Sequence, residues 1–168
     1  LKHPLIRHER AGDRELIRAV NESAFGRSDE ADLIDRLRAE RVILLSLVAE
    51  NNSRIIGHIL FSRMSVETAQ GSVAAVALAP VAVLPDHQRQ QVGSRLIRDG
   101  LSELRDRGEA IVIVLGHKDY YPRFGFSSES ARHLTSPFPA DAFMALELVE
   151  GALTAVRGVV KYPAAFGL

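Results

Sequence analysis

Between Ala79 and Ser94 the sequence passes from an apolar run, Ala79-Pro80-Val81-Ala82-Val83-Leu84, into a polar turn centred on Gln88-Arg89-Gln90-Gln91. A helical pattern follows, in which Val92, Leu96, Leu101 and Leu104 recur at the spacing of one helix face. The first amides of a helix have no partner inside it, and they carry the positive end of the helix dipole. Phosphate suits such a place, above all where a glycine, here Gly93, lets a ligand approach the backbone. Arg89 and Arg95 can add charge toward phosphate oxygens. A second reactive group, Gly116-His117-Lys118-Asp119-Tyr120-Tyr121, follows an apolar run ending at Leu115. Ligands of open α/β sheets collect at the C-terminal ends of strands, where His117 can serve as a general base near neutral pH or as a substrate contact.

Other chemistries find less support. The chain has no cysteine, which excludes disulfides, thiolate metal sites and a cysteine nucleophile. Its 6 histidines are not grouped at metal-ligand spacing, so no metal is expected. Serine-hydrolase, Walker and dinucleotide fingerprints are absent as well.

The elements that must carry these residues are read from periodicity. Leu5 to His8 predicts a short strand. Asp13 is placed to cap a helix with Leu16, Ile17, Val20 and Ala24 on its apolar face, ended by Gly26. Ser28 or Asp29 opens a second helix with Leu33, Ile34 and Leu37 together and Glu30 in its first turn. Strands are expected over 43–50 and 54–66, joined at Asn51-Asn52-Ser53, then over 72–84 and 110–115. Beyond Phe126, Leu134 to Ala140 reads as a loop, 143–149 as a strand and 159–162 as a short edge strand. Hairpin-linked strands followed by a strand–helix–strand crossover describe a mixed, mostly antiparallel α/β sheet. Proline has no amide donor, so Pro80 belongs at a bulge, an edge or a place where the ladder opens.

Two segments then carry a family resemblance. Gln88-Arg89-Gln90-Gln91-Val92-Gly93 resembles the acyl-CoA loop Q/R-x-x-G-x-G/A of the GNAT superfamily of N-acetyltransferases, in its bacterial acetyltransferase branch, with Gln91 in place of the middle glycine. Tyr121-Pro122-Arg123-Phe124-Gly125-Phe126 resembles the family's Y-x-x-x-G-F segment. The resemblance implies one GNAT-type domain over 1–168, with a splayed central strand pair. It implies that the main chain of Val81, Ala82 and Val83 receives the pantetheine arm of acetyl-CoA. The amides from Arg89 through Gln90, Gln91, Val92 and Gly93 to Ser94 would receive the diphosphate. An ordinary helical or bridge conformation is expected of Gln91. Tyr121 would protonate the departing thiolate, while Tyr120 is expected to point elsewhere. Many members carry an asparagine in this turn to bind the cofactor's amide groups. None stands here, so that role is either unfilled or taken by His117 or Asp119.

An acetyl-CoA-dependent N-acetyltransferase acting by direct attack of a primary amine is therefore expected. The alternatives are a non-catalytic acyl-CoA-binding or regulatory module on the same fold and, further off, a nucleotide- or phosphate-ester-binding domain. The acceptor is a small-molecule or peptide amine, walled by the first two helices and 127–140, with Glu30 as a candidate contact. Lysine plus arginine and aspartate plus glutamate stand at 21 each, so no global basic field argues for nucleic acid. The apolar runs are short for a membrane span. A cytoplasmic protein is the expectation, with a homodimer as one option.

Overall fold

A computed structural model describes residues 3–168. In chain order it contains β1 (Leu5–His8), α1 (Arg14–Phe25), α2 (Asp29–Glu40), β2 (Ile43–Asn51), β3 (Arg54–Thr68), β4 (Gly71–Val83), α3 (Val92–Asp106), β5 (Ile111–Leu115), β6 (Leu134–Thr135), β7 (Phe143–Glu147) and β8 (Gly158–Lys161). The strands are hydrogen-bonded in the order β1-β2-β3-β4-β5-β7, with β8 on β3 and β6 on β8. The pairs β4–β5 and β6–β8 are parallel, while β1–β2, β3–β8 and β5–β7 are antiparallel. This is the mixed, mostly antiparallel open sheet that the element order predicts. The chain forms two compact units, one reaching to Phe61 and including Ala79–Ser102, the other made of Ser62–Leu78 and Glu103–Leu168.

In the first unit, Asn52 and Ser53 both take left-handed conformations, φ 49° and 63°, the geometry of a tight β2–β3 hairpin turn. Gly26 closes α1 at φ 69°, donating its N–H to the Glu22 carbonyl. The apolar face of α1 is narrower than expected: Ile17 and Val20 are buried, whereas Leu16 is 50% exposed. A helix turns about 100° per residue, which carries Leu16 off the stripe that Ile17 leads. Asp13 also differs from expectation. It accepts the Arg10 N–H (2.7 Å) and the Arg7 guanidinium (2.7 Å), so it closes the short turn Ala11–Asp13 and gives α1 no side-chain cap. Along α3, Val92, Leu96, Leu101 and Leu104 are all buried, joined by Ile97. Gly100 lets α3 lie close to β3, since a Cβ there would stand 2.4 Å from the Phe61 ring.

A buried polar chain crosses this unit. The Asn21 amide donates to the Ile17 carbonyl (3.0 Å) and to His58 Nδ1 (3.3 Å). With Nδ1 accepting, the His58 proton is at Nε2, 2.9 Å from Ser46 Oγ. Ser46 donates in turn to Glu9 (2.8 Å), which takes two N–H groups from Arg38 at 2.6 and 2.7 Å. His58 sits within the apolar run Ile55 to Phe61 and is wholly buried. Its one sign in the sequence is Asn21, a polar residue on the stripe of Ile17 and Val20.

The core of the second unit gathers Met64, Val66, Ala75, Ala77, Ile111 and Ile113 with Phe143 and Ala145, alternate residues of four strands. The ladder between β4 and β5 is short, Val76↔Val112 and Ala77↔Ile113, after which β4 runs on through Pro80 to Val83. The expected edge strand over 159–162 is β8, and it is not an edge. It pairs with β3 on one side and with β6 on the other. Gly158 permits this: a Cβ there would lie 2.1 Å from the Glu67 carbonyl oxygen. Leu134 and Thr135, expected in a loop, are the strand that β8 requires.

Candidate active site

The first unit presents the turn between β4 and α3. Pro85–His87 form one 3-10 turn, and Gln88 to Gln91 carry the chain into the helix. The Gln88 side chain donates to the Val83 carbonyl (3.0 Å), so one of the main-chain groups expected to face a pantetheine arm already has a partner. Gln91 departs from expectation. Its φ is +65°, and that of Arg89 is +61°. The position that is glycine in the motif therefore keeps a glycine-like backbone although its residue is glutamine. Left-handed backbone of this kind turns neighbouring amides into an anion-receiving concavity. The Arg95 N–H bonds to the Gln91 carbonyl (3.0 Å), which leaves the Val92 and Gly93 amides ahead of it without helical partners. Arg89 is exposed, whereas Arg95 is turned to the Pro4 carbonyl (2.7 Å) rather than to the turn.

Gln91 also gives a stability prediction. A left-handed non-glycine residue costs roughly 1–2 kcal/mol, while glycine adds roughly 0.5–1 kcal/mol of unfolded-state freedom. Gln91→Gly is expected to raise the urea midpoint, by on the order of 0.5–1 kcal/mol in unfolding free energy. An unchanged or lower midpoint would show that the glutamine side chain contributes interactions of its own.

The second unit presents the segment after β5. The Gly116 N–H bonds to the Ala142 carbonyl (2.9 Å), and the His117 carbonyl accepts from Tyr120 (3.1 Å) and Tyr121 (3.3 Å). The turn Tyr121–Phe124 closes on Gly125 at φ 100°. Arg123 braces it, bonding to the Tyr120 and Asp119 carbonyls and lying 4.7 Å above the Tyr120 ring. Tyr121 is 8% exposed and stands edge-on to Phe126. Its ring fills the space beside Gly116, where a Cβ would be 2.2 Å away. Tyr120 does not point elsewhere as expected: it stands just ahead of the turn, at φ −111° and ψ −56°, and the two tyrosine rings meet edge to face at 5.2 Å. Burial, with Tyr120 adding to it, pushes the Tyr121 phenol up to about 12, so it holds its proton throughout the neutral range.

The remaining candidates are less committed. His117 is exposed. Glu30 is held by Arg27 at 2.7 Å, the partnership of a helix's first turn. Among the described residues no group of three His, Asp or Glu side chains could hold a metal ion, and no helix is long and apolar enough to cross a membrane.

Comparison with known proteins gives this geometry a family. Residues 6–128 match the model of the acetyltransferase (GNAT) domain. An uncharacterized N-acetyltransferase of Escherichia coli K12, YjhQ, is 46% identical over 112 residues, covering 66% of this chain and 62% of its own length. A second from that strain, YhbS, is 33% identical over 94% of this chain and 95% of its own. The crystal structure of Escherichia coli YhbS in complex with CoA superposes with a TM-score of 0.92 at 32% identity, covering 100% of this chain and 94% of that one. A GNAT family acetyltransferase from Brucella melitensis in complex with acetyl-CoA gives 0.82 at 36% identity, covering 98% of each chain. A strand that runs through a proline, a left-handed turn into a helix and a buried tyrosine after the next strand thus have their explanation: the chain belongs to the GNAT family of acetyltransferases, which draw their acyl group from acetyl-CoA.

Proposed function

We propose that the protein transfers an acetyl group from acetyl-CoA to a primary amine by direct attack in a ternary complex. The observation that carries this is the left-handed Arg89 and Gln91 backbone leading into α3, which keeps a phosphate-receiving shape where the sequence has lost its glycine. The amides from Arg89 to Ser94 take the diphosphate oxygens, and the main chain of Val81 and Ala82, with what Gln88 leaves free at Val83, lies along the pantetheine arm. The amine nitrogen bonds to the acetyl carbon as the carbon–sulfur bond breaks. A backbone dipole near Val83 steadies the developing oxyanion, and Tyr121 gives its phenol proton to the sulfur. His117 takes the proton that the amine sheds. Glu30 meets the acceptor only by releasing Arg27. The acceptor is a small-molecule or peptide amine, and the reaction belongs to the cytoplasm.

Release of free thiol from acetyl-CoA, followed with a panel of amines, tests this reading. Amine-dependent thiol release is expected, together with calorimetric binding of acetyl-CoA and none of ATP or NAD. Binding without thiol release from any amine would make the protein an acyl-CoA-binding module, and preference for ATP or NAD would remove the cofactor assignment.

A further inference from the structure

A cavity of about 230 Å³ opens in the second unit around β6 and the loop that leads to β7. Its inner side is apolar, formed by the buried Ala131, Leu134 and Phe143 with Phe138 beside them. Ser136 and the exposed Arg132 stand at its outer side. The Ser136 oxygen accepts the Phe138 N–H (3.1 Å), which leaves its own proton for a ligand. Arg132 pairs with Glu129 on the surface (3.2 Å). The adjoining His133 accepts from Arg157 (3.3 Å), and no carboxylate pairs with Arg157 among the described residues. Desolvation, then Arg157 and Arg132, hold the His133 ring toward its neutral form, against the opposing pull of Glu129. Phe143, in the wall of the cavity, pairs with Leu115 at the end of β5, one residue before Gly116, beside which the Tyr121 ring lies.

We infer that this cavity seats the acceptor, and that the acceptor is an amino compound with an apolar body and an oxyanion, such as the carboxylate of an apolar amino acid. The apolar body lies against Leu134, Phe138 and Phe143, and the oxyanion meets Arg132 and the Ser136 hydroxyl. The volume is that of a fragment rather than of a drug-sized molecule, which favours a single residue over a folded partner. This inference rests on the acetyltransferase reading.

Its test is a pair of product-like probes, N-acetyl-L-phenylalanine and N-phenethylacetamide, which differ in the carboxylate alone. Each is titrated into the ¹⁵N-labelled full chain in the presence of CoA, whose own binding is measured separately by calorimetry. N-acetyl-L-phenylalanine is expected to shift the amides of Ala131, Ser136 and Ala140 at millimolar concentration, and N-phenethylacetamide to bind at least tenfold more weakly. Arg132→Ala should abolish the difference between the probes. Ala140→Trp, on the exposed side of the cavity, should abolish both titrations while leaving the spectrum folded. CoA binding with no shift at the cavity, equal shifts from both probes, or shifts that survive Ala140→Trp would each overturn the inference and leave the acetyltransferase reading standing. Cavity shifts in a protein that does not bind CoA would overturn the reading on which it rests.

Discussion

Tyr121→Phe is expected to lower turnover by roughly 100-fold or more, the usual loss when a positioned general acid is removed, with the dissociation constant for CoA unchanged. Phenylalanine keeps the ring that packs beside Gly116 and Phe126, so the substitution removes the proton donor and little else. Gly116→Ala approaches the same group from the other side. Its new methyl would stand 2.2 Å from the Tyr121 ring, and the ring must swing away. A comparable loss of turnover is expected, and the double variant should be no worse than Tyr121→Phe alone, since both changes act on one phenol. Equal rates in wild type and Tyr121→Phe would take the phenol out of the mechanism. Additive losses would give Gly116 a separate role.

The second large effect is acid lability centred on His58. Burial, opposed only in part by Glu9 and reinforced by Arg38, pushes its pKa from the ordinary 6.5 down to about 3. Between those values the unfolded chain holds a proton that the folded chain refuses. Stability is therefore complete above pH 6.5 and falls as the pH drops toward 3. At pH 4.5 the loss is on the order of 2–3 kcal/mol. Carboxylates act in the same direction but lower. Burial alone would raise Glu9, yet hydrogen bonds from Arg38 and Ser46 hold it below 4.5, and Arg7 holds Asp13 below 3.8. Their contribution fades only beneath those values. His133, also held down, lies at the surface, where solvent screens its share. Urea unfolding at pH 7 and pH 4.5 reads the effect, and His58→Gln should flatten the slope between them. Long-range ¹⁵N spectra should show the Nε2–H tautomer persisting to pH 4.5. A wild-type midpoint that does not move over this range would refute the argument.

Much of the architecture is written in local pattern. The turn at Asn52 and Ser53, the Gly26 cap and the α3 stripe each follow from residues within a few positions, and the structure keeps all three. The misses share a cause, which is that tertiary context decides among locally acceptable choices. Nothing near Val159 in the sequence says that β3 and β6 will both claim β8. The role of Asp13 depends on Arg10 and on Arg7, which β1 brings to it. In the turn before α3, glutamine argues locally against a left-handed backbone, and the surrounding fold imposes one. The tyrosine pair fails for a different reason: a fixed rotation per residue holds only inside a helix, and Tyr120 stands outside the turn that Tyr121 opens. Gln88 matches the motif by type, but its bond to the Val83 carbonyl is a property of the folded turn.

Since β8 leaves the ribosome after both of the strands it joins and hydrogen-bonds on both its sides, the second unit cannot finish assembling during most of its own synthesis. Until Gly158 emerges, the β3 and β6 flanks that it joins are open to other extended polypeptides. A nascent chain stalled just short of that glycine would expose two adhesive borders at once, and holding such a chain apart from its neighbours is work for a chaperone.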